Sequence, residues 1–62
     1  MTHEEAKLSP RGFEALTIVR ALRRMAPTGA TIAAEKHATK QLSVADITQI
    51  ALILAQEEAQ NG

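Results

Sequence analysis

Cysteine is absent from this chain of 62 residues, tryptophan and tyrosine are absent too, and phenylalanine occurs once. Without cysteine, disulfides cannot hold the fold, and most structural zinc sites are excluded. A chain this short buries only about 60% of the surface that its unfolded form exposes, so its core is small. Small domains without disulfides or metals often gain stability by oligomerisation. The composition therefore predicts that the protein forms a homodimer.

Long apolar segments and an excess of one charge are also missing. The longest apolar run, residues 50–55, is far shorter than the roughly 20 residues that cross a membrane. Residues 1–7 are polar and lack the basic and apolar regions of a secretory signal, so we expect a cytoplasmic protein without membrane contacts. Seven basic residues balance seven acidic ones, so no net charge attracts nucleic acid.

Groups that could carry out catalysis are scarce. A nucleophilic mechanism needs a nucleophile, a base and an orienting group within reach, and the chain has only two histidines, His3 and His37. Their spacing to each other and to glutamate matches no metal-binding motif. The glutamate pairs at 4–5 and 57–58 would point about 100° apart on a helix and would not share one site. We therefore expect no enzymatic activity and no cofactor.

The sequence pattern predicts a first helix over about residues 10–26. Ser9 followed by Pro10 is typical of a helix start, because serine accepts from the free amides and proline has a preset φ. Pro27 and Gly29 should end this helix, since both residues disfavour a helical interior. The residues expected to form its buried stripe are Ala15, Ile18, Val19, Leu22, Met25 and Ala26.

Two further helices follow, and no segment has the alternating pattern of a strand. Thr28 or Thr31 can cap a second helix over about residues 31–41, whose apolar edge is thin. Ser43 and Asp46 have the spacing of a capping box before a third helix over about residues 44–60. We therefore predict an all-α protein, with a flexible tail over residues 1–8 and one three-helix bundle over residues 9–60.

The third helix is apolar over a wider arc than one neighbouring helix can cover. Leu52 and Ile53 are expected to remain exposed, and alanines would allow a second helix to approach closely. The helix is therefore expected either to lie at the centre of a larger bundle or, as we favour, to complete the fold by pairing with its copy. The residues predicted to mediate self-association are Ile50, Leu52, Ile53 and Ala59.

One face of the first helix is predicted to carry Phe13, Arg20 and Arg24 together. Aromatic residues and arginine dominate binding hot spots, so these three residues are candidates for binding another protein. Two alternatives remain open for the arginines. They could bind phosphate groups, or they could pair with Glu57 and Glu58 if the first and third helices run parallel.

These features favour a small non-enzymatic regulator or adaptor, such as an inhibitor or assembly factor, that binds itself and another protein. The alternative is a dimeric DNA-binding regulator, because residues 37–53 resemble a helix-turn-helix pattern. That pattern lacks the usual glycine in its turn, and basic residues in it or next to it, Lys36 and Lys40 among them, are few. Nucleic acid is therefore the less favoured partner. A structural subunit of a larger particle is a third class that the residues leave open.

Overall fold

The computed structural model describes residues 3–61, except for the side chain of Asn61. This part of the chain is all-helical and contains no strand, as predicted. Three α-helices follow a short 3-10 helix, Glu5–Lys7, which is called the N-terminal turn below. The α-helices are α1 (Pro10–Arg23), α2 (Gly29–Thr39) and α3 (Val44–Asn61).

The starts of α1 and α2 are set by side chains that cap free amides. The Ser9 hydroxyl accepts a hydrogen bond from the Gly12 amide at 3.1 Å, and Pro10 occupies the first helical position. At α2 the Thr31 amide donates to the Thr28 hydroxyl at 3.2 Å, and the Thr28 amide donates to the Thr31 hydroxyl at 2.9 Å. Thr28 is therefore the cap, and α2 begins two residues earlier than predicted.

Helix α1 ends at Arg23, three residues before the predicted end at Ala26. The Met25 amide donates to the carbonyl of Leu22, three residues earlier, at 3.1 Å. This spacing is that of a 3-10 turn, whereas an α-helix joins residues four apart. Pro27 also disfavours the helical conformation at the residue before it. As a result Met25 projects into solvent, 58% exposed, and does not belong to the core.

Helices α1 and α3 lie side by side and run in the same direction. Near their N-terminal ends, the Ser9 hydroxyl donates to the Asp46 carboxylate at 2.5 Å. Near their C-terminal ends, Arg20 Nε donates to Glu57 Oε1 at 2.8 Å. Both hydrogen bonds join residues 37 positions apart, so the two helices are parallel and keep one register. Helix α1 also contacts α2, which makes it the central helix of the three.

The core forms between α1 and α3. Leu16 is completely buried, which the predicted stripe of α1 had missed, and Ile18 is 41% exposed, which contradicts its predicted burial. The buried face of α1 includes Gly12, which lies against Asp46 of α3, so contacts with α3 rather than spacing within α1 determine this face. The six buried side chains of the core are Ala15, Leu16, Val19, Ile50, Ile53 and Leu54.

Two of the residues predicted to mediate self-association lie inside this core. Ile53, which was expected to be exposed, is only 3% exposed, and Ile50 is 4% exposed. The expectation for Ile53 was wrong because its polar neighbours on α3, Asp46 and Glu57, themselves contact α1. Ile50 and Ile53 are therefore occupied by the core of their own chain.

The segment predicted to be a flexible tail packs against the helices over its described part, and residues 1 and 2 lie outside the described residues. Glu5 is 7% exposed and forms an ion pair with Arg20. The Gln49 side chain donates to the Glu4 carboxylate at 2.8 Å, which holds the pKa of Glu4 below its ordinary value. Leu8 packs at the edge of the core. Glu4, Glu5 and Leu8 therefore contact the three-helix unit, although they precede its predicted start at residue 9.

Gly12 allows α1 and α3 to approach each other closely. A Cβ atom at this position would lie 2.8 Å from the Asp46 carboxyl carbon, which is closer than real Cβ contacts allow. The hydroxyl and the amide of Ser9 both donate to this carboxylate and hold the pKa of Asp46 below its ordinary value. Because the pKa is lower in the folded state, this contribution to stability is present above about pH 4 and is lost as the pH falls.

The variant Gly12→Ala tests this close approach. Alanine should gain about 1 kcal/mol of helix propensity, but we expect a net loss of about 1 kcal/mol in the free energy of unfolding because Asp46 must move. Gly29→Ala is the matched control, since no atom lies within 4 Å of its added Cβ, and it should stabilise by about 0.5 kcal/mol. Urea denaturation measures both, and equal stabilities would contradict the close contact.

Candidate interaction surfaces

Arg20 connects three elements at the C-terminal ends of α1 and α3. Its Nη1 donates to Glu5 Oε1 at 2.5 Å, and its Nε donates to Glu57 Oε1 at 2.8 Å. Burial opposes the charge of Arg20, but the hydrogen bonds with Glu5 and Glu57 outweigh it and hold the pKa of Arg20 above its ordinary value. This guanidinium is therefore already engaged by two carboxylates of its own chain.

Arg23 bridges the two outer helices in a similar way. Its Nη1 donates to Glu58 Oε1 of α3 at 3.0 Å, and its Nη2 donates to Glu35 Oε1 of α2 at 3.1 Å. The side chain is 43% exposed, so each of these pairs contributes only a few tenths of a kcal/mol. The predicted pairing of Glu57 and Glu58 with arginines of α1 is thus present within one chain.

These contacts involve only one of the three residues predicted to bind a partner: Arg20 is engaged, whereas Phe13 and Arg24 are not. Phe13 is 36% exposed, and Arg24 is exposed and has no ion pair with any described residue. Arg20 cannot meet a partner without releasing its own carboxylates. Four carboxylates pair with Arg20 and Arg23 at this end of the molecule, so even with Arg24 a phosphate group would find no excess of positive charge there. Partner binding by Phe13 and Arg24 stays a prediction.

A second surface lies on the side of α3 that faces away from the core. Val44 is 81% exposed and Leu52 is 45% exposed, which leaves two large apolar side chains in solvent. Of the residues predicted to mediate self-association, Leu52 and Ala59 lie on this side. The surface, called the outer α3 face below, consists of Val44, Thr48, Ala51, Leu52, Ala55 and Ala59, all exposed.

The spacing of apolar residues alone groups Val44 with Ile50 and Leu54 on one face of α3, so it does not assign Val44 to this surface. Helix α3 is apolar on both sides, so its own periodicity gives no single buried direction. The direction is fixed by Asp46 and Glu57, which both contact α1. The only sequence feature that indicates the buried side of α3 is that Ser9 and Asp46 are 37 residues apart, as are Arg20 and Glu57.

A groove between α1 and α2 forms a third surface, called the α1–α2 groove below. Ile18 and Leu42 contribute apolar surface to it, and Arg11, His37 and Lys40 contribute basic groups. No ion pair engages these basic side chains within the described part of the chain. The remaining lining residues are Glu14, Ala15, Ala38 and Gln41.

Comparison with known proteins gives no relative: no protein-family model matches the chain, and no curated protein or solved structure is significantly similar to it. None of the helices within residues 3–61 is long and apolar enough to span a membrane. Within the same residues, no three side chains of histidine, aspartate or glutamate are grouped as ligands for a metal ion.

The different environments of Arg20 and Arg24 lead to a prediction. Arg20→Gln removes charged hydrogen bonds to two carboxylates and should lower the free energy of unfolding by about 1–3 kcal/mol. Arg24→Gln removes the same charge from a side chain without an ion pair and should change stability by less than about 0.5 kcal/mol. Thermal or urea denaturation compares them. Equal effects would show that Arg20 is not part of the folded framework.

Proposed function

We propose that this protein is a small non-enzymatic regulator or adaptor that forms a homodimer through its outer α3 face and binds another protein. The observation that carries the proposal is that α3 exposes a continuous uncharged stripe opposite the side that forms the core. Val44 begins this stripe and Ala59 ends it, and the nearest charged side chain, Glu58, lies at its edge.

The stripe has the composition and spacing of a helix-to-helix interface. Val44, Thr48, Ala51 and Ala55 follow one another at alternating intervals of four and three residues, which is the spacing of a coiled-coil seam. Single exposed apolar residues are normal on a protein surface, whereas a continuous apolar patch is typical of a binding site. The alanines keep the surface flat, so another helix can approach closely.

A second copy of the chain fits this stripe better than a charged partner does. The stripe carries no charge and does not repel its copy, and a twofold dimer brings the same patch of both chains together. An antiparallel pairing places the two Glu58 carboxylates at opposite ends of the interface. Burying Val44 and Leu52 in both copies would contribute on the order of 5 kcal/mol to a protein whose described residues form a core of six buried side chains.

The DNA-binding alternative has less support in the described surface. The residues exposed at the start of α3, where a recognition helix contacts bases, are Val44, Ala45, Ile47 and Thr48, and none of them is basic. Nonspecific DNA affinity depends on lysine and arginine contacts to phosphates. Binding to protein is therefore the proposal that we make.

Sedimentation equilibrium across a dilution series tests the homodimer. The double variant Val44→Ser/Leu52→Ser removes the two large apolar side chains of the outer α3 face and should weaken dimerisation at least tenfold while keeping helical circular dichroism. Ile32→Ser is the matched control, because Ile32 is 62% exposed but lies on α2. It should leave the dimer unchanged.

Two results would contradict the proposal. One is a wild-type protein that is monomeric, with full helicity, at every concentration. The other is a dimer that the double variant leaves intact. In the first case the outer α3 face would have no role in self-association, and in the second case the dimer would use a different surface.

A further inference from the structure

The net charge of this chain is zero, but more of its positive than of its negative side chains lack an ionic contact with a described residue. Of seven acidic residues, only Glu14 has a carboxylate without a hydrogen bond or ion pair to a described residue. The other six are engaged: Glu4, Glu5, Glu35, Asp46, Glu57 and Glu58. On the basic side, Lys7, Arg20 and Arg23 form ion pairs with described residues, and four do not: Arg11, Arg24, Lys36 and Lys40.

Two of these four free cations line the same groove. Arg11 on α1 and Lys40 at the end of α2 border the α1–α2 groove, together with His37. Ile18, which is 41% exposed, and the partly buried Leu42 give the groove apolar surface. The groove therefore combines apolar contact area with free positive charge, and Glu14 is its single carboxylate.

We propose that the α1–α2 groove binds an acidic amphipathic segment of the second protein that this regulator recognises. Apolar side chains of that segment would contact Ile18 and Leu42, and its carboxylates would pair with Arg11 and Lys40. The proposal rests on the proposed binding of another protein and names its site and chemistry. It does not depend on the outer α3 face.

Neither of the other two surfaces offers this combination. At the C-terminal ends of α1 and α3, four carboxylates pair with Arg20 and Arg23, and the outer α3 face carries no charge. A nucleic acid fits the groove poorly, because Glu14 would repel phosphates and the exposed side chain of Ile18 has no apolar counterpart in a phosphate backbone. An acidic peptide with apolar residues complements all of these groups.

A peptide titration followed by amide NMR shifts tests the site. The probe is a capped helical peptide of about 12 residues with leucine at helical spacing and glutamate at the other positions. Saturable shifts are expected at Arg11, Ile18 and residues 37–42, and they should weaken as salt rises. The control peptide has glutamine in place of every glutamate and should bind at least about tenfold more weakly.

Two double variants with the same loss of charge show whether the groove itself binds. Arg11→Gln/Lys40→Gln removes the cations of the groove and should weaken binding about tenfold, while Lys7→Gln/Lys36→Gln, which removes two cations outside the groove, should change it less than about twofold. Circular dichroism checks that both variants fold.

Several results would overturn the groove as the site: no saturable shifts, equal losses in the two double variants, or equal affinity for the glutamine peptide. Stronger saturable shifts of the same groove amides by a short DNA duplex would overturn the acidic peptide as its ligand. Peptide shifts confined to Arg24 or Val44 would overturn the groove but leave protein binding intact. The dilution experiment on α3 tests the dimer separately, so the two failures are distinguishable.

Discussion

The parallel pairing of α1 with α3 is the constraint on which the other features of this protein depend. Ser9 holds Asp46 near the start of the two helices, and Arg20 holds Glu57 near their end. With the register fixed at both ends, Ile53 must turn inward, where it is 3% exposed. The opposite side of α3 is then left in solvent.

The sequence predicts the local structure of this chain better than its tertiary contacts. The helix starts were predictable to within two residues, because a cap such as Ser9 acts within one turn. In the predicted capping box of α3, the Asp46 amide donates to the Ser43 hydroxyl at 3.2 Å, while the Asp46 carboxylate accepts from Ser9. The buried side of α3 was not predictable from periodicity, because the helix is apolar on two sides. Arg20 pairs with Glu5, which lies in the segment predicted to be a flexible tail. Because the sequence does not indicate this contact, the position of Arg20 on α1 was equally consistent with a role as a binding hot spot.

The ion pairs of this fold lie apart from its two exposed apolar surfaces, the outer α3 face and the α1–α2 groove. The arginines near the C-terminal ends are largely engaged within the chain, whereas the outer α3 face is apolar and the α1–α2 groove keeps free cations. The outer α3 face and the groove share no residues. A dimer formed through α3, as proposed, would therefore not use the residues that line the groove.

The most direct test of the parallel pairing is a methyl NOE experiment on the dilute protein and on a mixture of isotope-labelled and unlabelled chains. Leu16 and Ile53 lie in one core, so NOEs should connect their methyl groups within a single chain. NOEs between these methyls that appear only between labelled and unlabelled chains would show that α1 packs on α3 of another copy. That result would contradict the fold, and with it the exposure of the outer α3 face.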